Sequence, residues 1–235
     1  MHAIRKWLDR DRLTFLSPLL LMLVFPVLGY LYKVFNQPTD QVYSLITPFD
    51  LSTPFLKVFA LPYSLWIVYI YLCLIYFFFK DRTSYYRGIV LYTLCALSCY
   101  MIYSVFQTTV PRPDIVGDDV FSQLMRYIYK RDQPFNCFPS IHCFSSYLMI
   151  RLLSVSPIRN KVNRILIYGM STTIIASTLF VKQHVLWDVI GAVTLVEVMY
   201  LLVVVILPRT AGARARQRGL ELPLQPLAQL ALDDA

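Results

Sequence analysis

The sequence predicts an all-α fold: a polytopic membrane helical bundle with about six transmembrane helices and both termini cytoplasmic. Three observations carry that prediction. Of the 235 residues 57% are hydrophobic and the mean hydropathy is +0.54, an apolar content typical of membrane chains rather than soluble domains. Six apolar runs approach the roughly 20 residues that a bilayer requires. Lys and Arg gather at the ends of those runs, where membrane topology puts them.

In chain order the runs are 15–35, 55–79, 88–106, 139–155, 165–181 and 185–207. The first is too long for a signal peptide and lacks a small-residue cleavage site, so it reads as a retained helix. The fourth and fifth are the shortest, and the fourth contains Arg151. No polar linker divides two hydrophobic halves, so residues 1–207 form one bundle. Residues 208–235 are basic and then proline-containing with an acidic end, a composition expected for a disordered cytoplasmic tail.

The formal charge of +8 is dispersed rather than gathered into a patch, which argues against nucleic acid as a partner. It instead orients the bundle. With the amino terminus inside, fifteen Lys and Arg lie on the cytoplasmic side and seven outside. That asymmetry places both termini in the cytoplasm. Cys73, Cys95 and Cys99 fall within spans as packing residues, whereas Cys137 and Cys143 flank one outer motif, where a disulfide is chemically feasible.

Two outer segments join the spans. Residues 36–54 contain Pro38, Pro48 and Pro54 with Asp40 and Asp50; proline has no backbone donor, so no regular helix is expected there. In 107–138, Val120, Phe121, Leu124, Met125 and Ile128 recur at helical spacing after a cap at Asp118. Arg126, Lys130 and Arg131 accompany that stripe, as in an interfacial helix; a helix packed on the bundle fits equally.

Three polar clusters fall at the same outer face: Pro111-Arg112-Pro113, Phe138-Pro139-Ser140-Ile141-His142, and Lys182-Gln183-His184-Val185-Leu186-Trp187-Asp188. His184 and Asp188 are four apart and would share one helix face. A carboxylate there fixes the imidazole tautomer and leaves Nε2 free to attack. Pro139 and Ser140 open a helix whose first amides lack intrahelical acceptors, a ready cradle for phosphate. His142, in the same turn, can protonate a leaving alkoxide. Arg112 offers a permanently charged fork. Each cluster alone is weak: a membrane-edge histidine is more often a plain interfacial residue. Their convergence on one face carries the argument.

As a trio, Arg112-Pro113, Pro139-Ser140-x-His142 and His184-x-x-x-Asp188 resemble the signature of the type 2 phosphatidic acid phosphatase superfamily, over about residues 55–207. The resemblance implies a metal-independent reaction through a phosphohistidine, with no cofactor. It makes His184 the nucleophile, Asp188 its orienter, His142 the acid, and Arg112 and Ser140 phosphate ligands. Val105 stands where that family usually has a lysine, and Thr178 where it usually has an arginine. Lys182 is expected to supply the missing charge as a phosphate ligand. The Lys-Gln-His form is similar to the inositol-phosphoceramide and sphingomyelin synthase-like branch, whose members move headgroups between lipids.

The expected activity is hydrolysis of a phosphomonoester or diphosphate lipid, with headgroup transfer to a lipid acceptor as the alternative. A transporter would spread polar residues across the midplane instead of one face. Arg151 and Glu197 each lie nine residues inward from a histidine, roughly 13 Å on an ideal helix. Intramembrane charges need a partner or a wet cavity. Either the two pair, or Arg151 snorkels to the interface and Glu197 is protonated.

Overall fold

The computed structural model describes residues 14–208, and the amino-terminal segment and the expected tail lie outside them. Within that range the chain is helical apart from a two-strand ladder and the connecting loops. Four helices are long and apolar enough to cross a membrane: α1 (Thr14–Phe35), α3 (Lys57–Lys80), α4 (Arg82–Val105) and α8 (Leu186–Ile206). Between α1 and α3 lies α2 (Pro48–Ser52); α5 is Val120–Arg131, α6 is Ile141–Val155, and α7 spans residues 161–180.

The six expected runs therefore all become helices, but two of them do not meet the length and apolarity of a span. Helix α6 has 15 residues, about 22 Å of rise, against a hydrocarbon core of roughly 30 Å. Helix α7 is long enough, but Ser171, Thr172, Thr173, Ser177 and Thr178 dilute its apolar character. Ser171, Ser177 and Thr178 are fully buried; small polar residues of this kind let helices approach closely in a bilayer.

Capping side chains set the boundaries. Asp81 is the single residue between α3 and α4, and its carboxylate accepts the Ser84 N–H, so the two spans form a tight hairpin. Asp119, not Asp118, caps α5 by accepting from Phe121 and Ser122. Lys57 hydrogen-bonds Asp119 and holds its carboxyl well below the usual carboxylate range. Ser140 caps α6, and Asn160 caps α7.

The core sits among α3, α4, α6 and α8, where Phe77, Phe78, Tyr85, Phe144, Leu148 and Leu152 are fully buried. Outward-facing Leu20, Leu23, Leu72 and Met101 are each more than 60% exposed. Such a belt of large apolar side chains suits lipid and not water. Helix α5 packs on the bundle: Met125 and Ile128 are buried with Ala60, Tyr63 and Val181, while Val120 of the expected stripe is exposed.

At one end of the bundle, strands β1 (Tyr43–Ser44) and β2 (Thr108–Thr109) pair in parallel, which ties the α1–α3 connection to the α4–α5 connection. Phe138 N–H donates to Thr108 Oγ1 at 2.8 Å, adding the segment before α6. Gly191 of α8 admits the Phe138 ring so closely that a Cβ there would overlap it. All five cysteines are free and buried, so Cys137 and Cys143 are not bonded.

Candidate active site

The three polar clusters meet at that end. His184 lies in the short connection between α7 and α8, not on a helix, which corrects the expectation of a shared helix face. Helix α8 starts at Leu186, with Asp188 at its third position. From there the carboxylate reaches back: Oδ2 accepts the Val185 N–H at 3.0 Å and lies 3.1 Å from His184 Nδ1. Capping and orientation of the imidazole are thus one interaction. The Gln183 and His184 amides donate to Thr178 O at 3.0 and 3.2 Å, so Thr178 shapes the loop with its backbone. Val105, the other departure, is 83% exposed and faces away from the site.

Ser140 is fully buried. Its N–H donates to Asp188 O at 3.3 Å, joining the openings of α6 and α8, and its Oγ accepts the Cys143 N–H at 3.2 Å. One amide of the expected cradle is therefore capped, while those of Ile141 and His142 have no intrahelical acceptor. The His142 ring stacks on Tyr63 at 4.4 Å between centroids, contacts Trp66 at 4.1 Å and lies 5.8 Å from His184.

Arg112 is clamped by the protein. Nη1 donates to Tyr129 O at 3.0 Å, Nη2 donates to Asp132 O and to Gln183 Oε1, and the guanidinium stacks on the Tyr129 ring. Its Nε is buried and has no partner among the described residues. The Lys182 ammonium donates to the carbonyls of Asp50 and Thr53, and burial lowers its pKa from the ordinary lysine value. The Lys182 backbone has φ +54°, left-handed and not extended.

Sequence reasoning passed over Asp50, Asp132, Tyr63 and Gln183. Buried Asp50 accepts from the Thr47 amide and hydroxyl through Oδ2, and from Leu186 N–H at 2.8 Å through Oδ1. It therefore fastens the α1–α3 connection to the start of α8. Its only sequence signal was an acid in a proline-containing loop.

Two cavities meet at His184. One, of about 360 Å³, is bordered by Asp50, Arg112, Lys182 and His184. The other, of about 530 Å³, runs among α1, α3 and α4 and is bordered by Tyr32, Tyr63, Trp66, Tyr100, His142 and His184. Among the described residues, Cys137, His184 and Asp188 bring three potential metal-binding atoms within 4.8 Å of one another. Burial pushes the Cys137 thiol up, away from the thiolate that a metal needs, and His184 Nδ1 is already committed to Asp188.

A sequence profile described as the PAP2 superfamily matches residues 43–202. No curated protein and no solved structure matches the chain.

Proposed function

The chain belongs to the PAP2 superfamily, and from that premise we propose an integral membrane lipid phosphatase that hydrolyses a phosphomonoester or diphosphate lipid at the extracytoplasmic face. Members of the superfamily are phosphatases or phosphotransferases, and the apolar helices mark a membrane protein. The observation that carries the reading is the His184–Asp188 pair, with Nδ1 bound and the His142 ring 5.8 Å away.

The Asp188 carboxylate takes the Nδ1–H, so the Nε2 lone pair of His184 attacks phosphorus. The bond from phosphorus to the lipid oxygen breaks, and His142 gives that oxygen a proton. Water, deprotonated by His142, then attacks the phosphohistidine; the N–P bond breaks and phosphate leaves. The Arg112 Nε–H, the Ile141 and His142 amides and the Ser140 hydroxyl are the donors for the phosphoryl oxygens. Because His142 borders the tyrosine-lined cavity and not the Arg112 cavity, the leaving lipid alcohol belongs in the former.

A second reading, headgroup transfer, is favoured by His184 bordering both cavities: an acceptor alcohol would replace water in the second step. Purified protein incubated with a phospholipid panel, with and without diacylglycerol or ceramide, separates the two. Free phosphate without an acceptor supports the phosphatase. A new phospholipid formed only with an acceptor supports transfer, and no product from any lipid removes both.

A further inference from the structure

An acid that donates to a lipid alkoxide must hold its ring still, and the contacts around His142 hold it through a residue outside the three motifs. We infer that Asp132 is a positioning residue for His142, acting through Tyr63. The inference rests on the proposed role of His142 as the acid.

Asp132 is the C-cap of α5, its N–H donating to Ile128 O at 2.9 Å. A carboxylate at a helix C-terminus meets the negative end of the macrodipole, so α5 itself gains nothing from it. Its side chain instead serves two other helices. Oδ1 accepts the Tyr32 hydroxyl of α1 and Oδ2 the Tyr63 hydroxyl of α3, each at 2.8 Å. The Tyr63 ring, fixed by that bond, stacks on His142 with 27° between the planes. Meanwhile the Asp132 carbonyl accepts from Arg112 Nη2. One residue thus holds the candidate acid through its side chain and the candidate phosphate ligand through its backbone.

Charge acts in the same direction as geometry. The titratable groups around the His142 imidazole are Tyr63 from α3, Asp132 from the end of α5 and His184 from the loop before α8. Burial penalises an imidazolium here, and of these groups Asp132 is the one whose negative charge works against that penalty. The competing explanation is that Asp132 merely pins α1, α3 and α5 together.

The chain has three histidines, His2, His142 and His184, so ring-carbon NMR of histidine-labelled protein in detergent has three signals to separate, and His142→Gln assigns the one to follow. In Asp132→Asn the His142 midpoint should fall by about one pH unit, and Asp132→Glu should restore part of it. With dioctanoyl phosphatidate as probe, kcat should fall about tenfold while KM stays within about twofold. A folded Asp132→Asn protein with unchanged midpoint and kcat would overturn the inference. If that variant does not fold, Tyr63→Phe keeps the stacked ring and removes the link; an unaltered kcat there overturns it equally. A wild-type protein inert on every phospholipid, yet showing the fallen midpoint on substitution, would sink the phosphatase reading and leave the positioning role standing.

Discussion

Asp188 orients His184 from the third position of α8, with Oδ2 3.1 Å from Nδ1, so the tautomer of the proposed nucleophile is set by a helix cap. Its deletion and its misorientation should therefore differ. His184→Ala removes the attacking atom and should abolish turnover while the protein stays folded. Asp188→Asn should keep a residual rate, about 10⁴-fold below wild type by comparison with triad aspartates. Wild-type turnover by the His184 variant would show that another group attacks phosphorus.

Gly29 borders the tyrosine-lined cavity, and a Cβ built there meets nothing within 4 Å. Gly29→Leu should thus fill cavity space without disturbing the helix, where leucine is also the better former. If the lipid chain occupies that cavity, kcat/KM for a long-chain phosphatidate should fall about tenfold, about 1.4 kcal/mol. The dioctanoyl analogue should lose less than about twofold. Equal losses for both chain lengths would place the hydrocarbon elsewhere.

The Lys and Arg asymmetry predicts an extracytoplasmic site, which accessibility tests. In a background without native cysteines, single cysteines in 107–138 should react with an impermeant thiol reagent applied outside. Those in 82–87 should react only after the membrane is opened. The reverse pattern would move the site to the cytoplasm.

What the sequence made legible was whatever depends on near neighbours. The six apolar runs all became helices, and the four-residue spacing of His184 and Asp188 correctly paired them. The reason was misread, because a residue before a helix can meet an N3 carboxylate just as one on its face can. Helix α7 was blurred because Lys161, Asn163 and Arg164 open it and its buried Ser171, Ser177 and Thr178 pack inward. The partners of Arg112 lie 17, 20 and 71 residues away, so the sequence shows its charge but not the carbonyls that hold it. Asp50 read as an ordinary loop acid and Asp132 was not singled out, since their meaning comes from Leu186, Tyr32 and Tyr63 in other segments.

Arg151 and Glu197 pair, Nε to Oε1 at 3.0 Å, with Tyr147 donating to Glu197 and the guanidinium over Tyr200. This settles the choice between pairing and snorkelling. Each neutral single substitution strands a charge within the apolar bundle, so each should destabilise more than the double. A thermodynamic cycle over the four proteins should give a coupling of about 0.5–3 kcal/mol. Additive thermal shifts would show two independent residues.

Lys182 shares a cavity wall with Arg112 and His184, and two of its three N–H donors are taken by the Asp50 and Thr53 carbonyls. That anchoring fits two roles. If the lysine only ties the α7–α8 loop to the α1–α3 connection, Lys182→Met lowers the thermal midpoint and spares the rate. The alternative is a preorganised cation whose third N–H faces the phosphoryl group, standing in for the charges absent at Val105 and Thr178. Catalysis of phosphoryl transfer rests largely on such fixed positive groups, and Arg112 alone is one cation against several developing oxygens. The second role predicts that Lys182→Met slows the single-turnover chemical step at least about tenfold, about 1.4 kcal/mol, beyond any change in stability. Lys182→Arg, able to keep both the anchor and the charge, should recover part of that loss. An unchanged single-turnover rate in a folded Lys182→Met protein would leave the residue as a loop anchor and Arg112 as the principal cation of the site.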